Sequence, residues 1–480
     1  MSTATSTPDA ARHEVPPRAS STIVAVLAFS GIVVALMQSI VIPLIPELPR
    51  LLDADASDTA WAVTATLLAA AVATPTVGRL GDMYGKRRML LVSLVLLIAG
   101  SVVAALSTTL VLLIVGRVLQ GLASGVIPLG ISIMRDELPA ERLGSAVALM
   151  SASLGVGGAL GLPAAALLAD HFDWHVLFWV AAGLGVVALA LVVFLVPAAD
   201  LSSGGRFDPV GALGLSVALI CGLLAISKGG TWGWDSGRTL GLGAASVVVL
   251  VAWGFWELRT SEPLVDLRTS VRRQVLLTNG ASVMFGFAMF AMSLVMPQII
   301  QLPKETGFGF GGSMLDVGLV MAPSGLVMMA AAPLSARISR ASGPKVSLMI
   351  GAFVVGCGYL TNIVLMSAVW ELVLVSCIIG AGTGLAYGAM PALIMSAVPS
   401  NETAAANSLN TLMRSIGTSI ASAVAGVILA ELTLDLGGYA VASQDALRLV
   451  MGIGAAAAFV ALVIGAFLPR REAGAPVAHH

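Results

Sequence analysis

The sequence predicts an all-α integral membrane protein with fourteen transmembrane helices: two six-helix bundles, two inserted helices between them, and both termini cytoplasmic. Three observations lead there. Apolar runs of span length fill almost the whole chain, cations are distributed very unevenly between the connecting loops, and one loop pattern occurs twice. Of 480 residues, 58% are hydrophobic and only 11% charged, against about a quarter charged in soluble proteins. Mean hydropathy is +0.96. A run of about 20 apolar residues crosses hydrocarbon as a helix, because a helix satisfies its own backbone where water is absent.

The runs lie at roughly 22–45, 58–77, 89–108, 110–133, 143–168, 174–196, 209–228, 239–257, 275–301, 314–336, 345–366, 369–397, 404–429 and 446–468. Of the 25 lysines and arginines, Arg117 and Arg414 fall inside spans, and Arg50, Lys228, Arg238, Lys304 and Arg448 fall in loops on one side. The remaining eighteen lie on the other side, which is therefore cytoplasmic. An odd number of spans would invert the second half and destroy this bias. The first run is too long for a signal-peptide core, so it is an uncleaved span.

The segment Gly78-Arg79-Leu80-Gly81-Asp82-Met83-Tyr84-Gly85-Lys86-Arg87-Arg88 packs five charges and three glycines between the second and third runs. Such a segment is an aqueous connection, and its cations fix the side. Its Arg-to-Gly spacing, Arg79 to Gly85, recurs as Arg337 to Gly343 after the tenth run, with a cation two places later in each (Arg87, Lys345). Each copy joins the second and third spans of a six-span unit. The organisation read from this is a disordered lead at 1–21, a first bundle at 22–196, and a linker with two inserted spans at 197–274. A second bundle follows at 275–468, then a tail at 469–480. Folds built from such repeats bind substrate between the halves near the midplane.

These motifs resemble those of the major facilitator superfamily. The loop just quoted is similar to its connection between spans two and three, and Gly116-Arg117-Val118-Leu119-Gln120-Gly121 to its fourth-span motif. Gly229-Gly230-Thr231-Trp232-Gly233-Trp234-Asp235-Ser236 and Glu262-Pro263-Leu264-Val265-Asp266-Leu267-Arg268 resemble the fourteen-span drug:proton antiporter family within it. The resemblance implies a major-facilitator-type fold, proton coupling, and a role for Arg117 in coupling and substrate binding. In that family the fifth span carries Gly-Pro-x-x-Gly-Gly; here Gly161-Leu162-Pro163-Ala164-Ala165-Ala166 displaces the proline and replaces two glycines. An aspartate common in the family's first span is Met37 here.

Candidate gating and coupling residues are Gly78, Arg79, Asp82, Gly85, Arg87, Arg117, Asp136, Glu137 and Arg340. Asp82 is either a solvated charge that fixes topology or a latch onto an arginine or helix N-terminus of the other half. Arg340 at its matching position favours the latch, since topology needs no such asymmetry. Arg117 either faces a cavity with a partner or snorkels outward; the same choice stands for Arg414. Gly157, Gly161 and Pro163 form a small-residue packing face. No span has an acid near its centre, so the proton-carrying candidates are Asp82, Asp136, Glu137 and Asp316 at span ends.

The ninth span is rich in methionine and phenylalanine, either a lipid-facing stripe or a soft cavity wall. With scattered amides, the substrate-lining candidates are Met37, Gln38, Gln120, Asn279, Phe290, Met292, Gln298 and Asn410. Such a lining suits neutral or weakly cationic lipophiles. The five histidines form no metal set, the three cysteines lie in apolar runs, and no phosphate-binding loop exists. The expectation is a monomeric, cofactor-free, metal-free multi-pass protein of the bacterial plasma membrane, not an enzyme and without a nucleic-acid partner. Its function is export of lipophilic small molecules, multidrug efflux and antibiotic resistance, by proton antiport with alternating access. The alternatives are a narrow exporter of one endogenous metabolite, peptide or lipid, and a non-transporting scaffold or sensor.

Overall fold

The computed structural model describes residues 17–44, 48–59, 61–197, 204–436 and 439–469. Among them are fourteen helices long and apolar enough to cross a membrane. The first six spans are α1 (Pro17–Ser39), α2 (Trp61–Tyr84), α3 (Lys86–Ala105), α4 (Leu110–Leu122, continued through a 3-10 turn by Val126–Glu137), α5 (Ala140–His171) and α6 (His175–Leu195). The inserted pair is α7 (Pro209–Trp232) and α8 (Gly237–Arg259). The last six are α9 (Arg273–Gln301), α10 (Met314–Ser342), α11 (Pro344–Val364), α12 (Val369–Met395), α13 (Thr403–Glu431) and α14 (Gln444–Ala466). A short antiparallel hairpin, β1 (Thr433–Leu436) and β2 (Tyr439–Ala442), joins α13 to α14.

The lead expected to be disordered is helical from Pro17 onward. A proline in the first turn gives up an N–H that has no helical partner there. Residues 1–16 of that lead and 470–480 of the tail lie outside the described residues. Span ends fall where short polar side chains cap free amides. Asp208 accepts from Gly211 N at 2.9 Å before α7, and Ser443 from Ala446 N at 3.1 Å before α14. Ser313 and Asp316 form a reciprocal box before α10, with Ser313 N donating to Asp316 Oδ2 at 2.7 Å. Asp316 is thereby a helix cap on the surface and is removed from the proton-carrying candidates.

Buried apolar side chains separate into two large cores, one mainly of α1–α6 and one mainly of α9–α14, the second taking in Ala148 and Ala152 of α5. The bundles meet along two seams, α5 against α10 and α2 against α13. The inserted α7 lies over the second seam, where Leu215, Leu219 and Leu223 pack with Ala71 of α2 and Leu412 of α13. Its far end is pinned by Lys228 Nζ, 5.0 Å from the centre of the Trp61 ring. The outer faces of α8, with Val247, Val248, Val251 and Phe255, are exposed to lipid.

Both copies of the repeated loop turn on a glycine with positive φ, Gly85 at 105° and Gly343 at 88°, a region closed to most side chains. Within the first bundle, Gly157 lets α5 touch α1: a Cβ there would run into Ala35 and the Ile32 carbonyl. Gly161 faces Ser39 and Leu36 of the same helix. Gly157→Ala should therefore overpack this contact at about 1–3 kcal/mol. Gly183→Ala in α6, where a Cβ meets nothing within 4 Å, should be neutral or stabilise by up to about 1 kcal/mol. Thermal unfolding of the two variants in detergent should separate them, Gly157→Ala melting lower; equal melting temperatures would remove the packing role.

Candidate functional site

Two glycines near the end of α2, Gly78 and Gly81, carry its last charges into the gap between the bundles. Gly78 brings α2 against Ser408 and the Ala404 carbonyl of α13, and Gly81 seats against Leu129 of α4. At that distance Asp82, only 1% exposed, meets the start of α13. Its two carboxylate oxygens accept from Ala404 N at 3.2 Å and Ala405 N at 2.9 Å. A carboxylate on the free amides of a helix N-terminus is favoured by both hydrogen bonding and the helix dipole.

A buried charge chain backs this contact. Lys86 Nζ lies 3.9 Å from Asp82 and 2.6 Å from Asp136 Oδ2 of α4. The neighbouring Arg135 donates to Thr403 Oγ1 and to the Val398 carbonyl at 3.3 Å, both in the other bundle. Lys86 and Arg135 were not singled out from the sequence; their signal was proximity to Asp82 and Asp136, legible only once α2 and α4 are placed together. Arg79 and Glu137 are half-buried beside this chain and enter none of its bonds.

The second loop makes the mirror contact. Arg340 Nη1 donates to the Glu141 carbonyl at 3.1 Å, at the start of α5. Each loop thus reaches the fifth span of the opposite bundle, Asp82 to amides and Arg340 to a carbonyl. The paired cations also match: Arg87 donates to the Val193 carbonyl of α6 at 2.7 Å, and Lys345 to the Ala466 and Leu468 carbonyls ending α14 at 2.7 and 2.6 Å. Cations at helix C-termini satisfy the orphan carbonyls of each bundle's last span.

Arg117 is 1% exposed and makes three hydrogen bonds within the first bundle. It donates to the Ala62 carbonyl at 3.2 Å, the Met37 carbonyl at 3.0 Å and Gln120 Oε1 at 2.7 Å, and Gln120 donates to Ser101 Oγ at 2.8 Å. It ties α1, α2 and α4 together, does not snorkel, and is absent from the linings of the two inter-bundle cavities.

Among the described residues, two cavities between the bundles stand out. The larger, about 240 Å³, is walled by α1 and α5 on one side and α9, α10 and α12 on the other. Met289, Met292, Met314, Met321 and Met328 dominate its lining, with Ser39, Ser293 and Ser324 as its polar groups. The smaller, nearer the Asp82 end, holds about 10 Å³, space for roughly one water. Asn407, Asn410, Thr411, Arg414 and Ser151 line it, and Leu154 borders both. The Asp82 end is shut below them.

A family model described as Major Facilitator Superfamily matches residues 27–422, and matches again over 310–479. The chain belongs to the major facilitator superfamily. Multidrug resistance protein 3 of Bacillus subtilis (strain 168) is 25% identical over 77% of this chain and 72% of its own length. The tetracenomycin C resistance and export protein of Streptomyces glaucescens is 28% identical over 85% of this chain and 76% of its own. The human organic anion transporter MFSD10 covers 94% of the chain with a TM-score of 0.66, and the proton:xylose symporter XylE 95% with 0.65, each at 14% identity. Those two structures share the fold. The protein is thus a multi-pass plasma-membrane transporter of this superfamily and not an enzyme.

Within that fold the residues read as substrate-lining divide. Met292 lines the large cavity and Asn410 the small one. Asn410 also donates to Asn279 Oδ1 at 2.9 Å and Ser282 Oγ at 2.8 Å, so Asn279 braces α9 against α13 behind the cavity. Five others are corrected. Met37 is sealed in the first core, contributing only its carbonyl to Arg117. Gln38, one helical step of about 100° further round, points out to the surface. Gln120 is consumed by Arg117, and Phe290 and Gln298 fall off the face that Met289 and Met292 share. Pro163 abuts Gly318 at the α5–α10 seam. Outside the spans, two hydrogen bonds from His175, backbone first and then Nδ1, hold Asp173 below its ordinary pKa. His175 Nε2 bonds the Ser107 carbonyl at 2.9 Å, so this histidine secures a loop.

The Asp82 contact yields a direct test. A partly buried carboxylate on a helix N-terminus is worth up to about 2 kcal/mol, so Asp82→Asn should raise the open-to-closed ratio at this end roughly five- to thirtyfold. A cysteine at Thr411, on the small cavity, should then react correspondingly faster with a membrane-impermeant maleimide added from the Asp82 side. Unchanged labelling would show that Asp82 does not hold the end closed.

Proposed function

We propose that this transporter exports lipophilic small molecules from a bacterial cell in exchange for protons, rocking its two bundles about the cavity between them. The observation that carries the reading is the methionine-walled cavity of about 240 Å³ at the bundle interface. Thioether side chains are flexible and polarizable, so one wall accommodates ligands of differing shape. The relatives named for multidrug resistance and for tetracenomycin C resistance and export support the same direction. In this reading the cation bias assigns the Asp82 end to the cytoplasm, and the closed end is then the cytoplasmic one.

Proton coupling in this reading runs through the closed end. The linings of both cavities lack a carboxylate, whereas Asp82 and Asp136 sit buried at the contact that must break for the cytoplasmic side to open. Protonating Asp82 removes the charge that the α13 amides hold, which favours opening toward the cytoplasm and substrate entry. Release of that proton to the low-proton side restores the closed end.

Inverted membrane vesicles with an imposed pH gradient, inside acidic, should take up lipophilic dyes, and nigericin should abolish the uptake. Asp82→Asn should insert normally yet accumulate at least tenfold less dye. Uptake that survives collapse of the gradient would dismiss proton exchange. Movement of none among neutral, cationic and anionic dyes would point instead to a single endogenous substrate.

A further inference from the structure

Arg414 is the one ionisable side chain in the lining of either cavity. It lies eleven residues into α13, about 16 Å along the helix, close to half the thickness of a hydrocarbon core. Its guanidinium sits 4.8 Å over the ring of Tyr387, itself eight residues, or about 12 Å, before the end of α12. The side chain therefore stays at depth and does not snorkel to the interface.

Its surroundings contrast with those of Arg117. That guanidinium spends its donors on two carbonyls and an amide oxygen. Among the described residues the Arg414 guanidinium has a ring face and no acceptor from another side chain or a carbonyl. The residue is half-buried, and a cation–π contact worth about 0.5–2 kcal/mol leaves its N–H donors free for a further acceptor. Beside it, Asn407 Oδ1 is buried without a donor. The small cavity thus offers a forked cationic donor and one lone acceptor at the floor of an apolar, methionine-walled chamber, separated from it by Leu154.

We infer that Arg414 is a substrate-recognition residue and that the transported lipophiles carry an anionic group, which takes the guanidinium once the Leu154 side chain between the two cavities moves aside, while their apolar body occupies the methionine wall. This rests on the export reading and revises its substrate from neutral or weakly cationic to anionic. A planar guanidinium pairs with a carboxylate, phenolate or sulfonate through two parallel hydrogen bonds. A lipophilic cation meets like charge in a low-dielectric site and is rejected. Asn407 Oδ1 would take a hydroxyl on the same ligand.

The test uses two probes that share one skeleton, tritiated 8-anilinonaphthalene-1-sulfonate and tritiated N-phenyl-1-naphthylamine, with the purified full chain in phosphatidylcholine nanodiscs. The wild type should bind the sulfonate at least tenfold more tightly than the neutral amine. Arg414→Gln should erase that preference while leaving amine affinity within twofold, which also reports an intact fold. Arg414→Lys, keeping the charge without the fork, should retain part of it. Equal wild-type affinities, or a parallel loss of both probes in Arg414→Gln, would overturn the inference. So would loss of the preference in nanodiscs containing phosphatidylglycerol, which would make a lipid headgroup the occupant. Anion-selective binding without gradient-driven uptake would sink the export reading alone, because binding needs no transport.

Discussion

The contact on which this architecture turns is a carboxylate from one bundle laid on the first amides of a helix in the other. Asp82 accepts from Ala404 N and Ala405 N, and the other polar contacts of the α2–α13 seam at that end are arranged around it. Gly78 brings the helices close enough, Lys86 and Asp136 keep the carboxylate oriented, and Arg135 grips the turn from which α13 starts. The interaction suits a switch because it is strong only in one geometry. Helix-dipole and capping energies fall off within a single turn, so a tilt of a few ångströms exchanges a nearly buried bond for a solvated one.

The duplication explains why this latch is not simply doubled. The second loop makes the same reach with Arg340, but the amides of α5 repel a cation, and Arg340 settles for the Glu141 carbonyl on the exposed edge. One seam therefore holds by a buried charge at a favourable pole. The other holds mainly by helix packing, with Gly155 and Ala159 against Gly325, and Pro163 against Gly318. The inserted α7 adds apolar cover over the charged seam alone, through Leu215, Leu219 and Leu223. Opening at the Asp82 end must slide α2 and α13 beneath that cover, whereas among the described residues neither inserted helix packs over the α5–α10 seam.

How much of this was legible in the chain depended on the range of the interaction. Span number followed from local hydropathy, and the pairing of Arg79-to-Gly85 with Arg337-to-Gly343 identified two units because the turn glycines need positive φ in both. The matched roles of Arg87 and Lys345 as caps on α6 and α14 were hidden, since they depend on which helix ends beside each loop. Polar residues within spans were the hardest to place. Gln38, Gln120, Asn279 and Asn410 look alike in sequence, yet one faces outward, one serves an arginine, and two bond to each other across α9 and α13. The pairing of Gln120 with Arg117 follows i,i+3 spacing, whereas the contact of Asn279 with Asn410 joins residues 131 apart, which no helical period reveals.

The same reasoning separates the two intramembrane arginines, which sequence alone treated similarly. A guanidinium has five donors and cannot shed its charge, so its surroundings must either satisfy it or leave a demand. The first bundle meets the demand of Arg117 with backbone oxygens near the end of α1 and the start of α2, and the result is a rigid joint. Among the described residues, Arg414 meets an aromatic face and borders a space for about one water. An ion left partly unsatisfied at the interface of two moving bodies biases their equilibrium through whatever completes its shell. A ligand that does so from the far-end cavity stabilises the state in which Asp82 stays latched; one arriving from the opposite side must compete with that latch. The difference between those two affinities is the most that ligand binding alone can contribute to reorienting the bundles. That limit ties the charge at the cavity floor to the charge at the closed end, although no bond in the described state joins them.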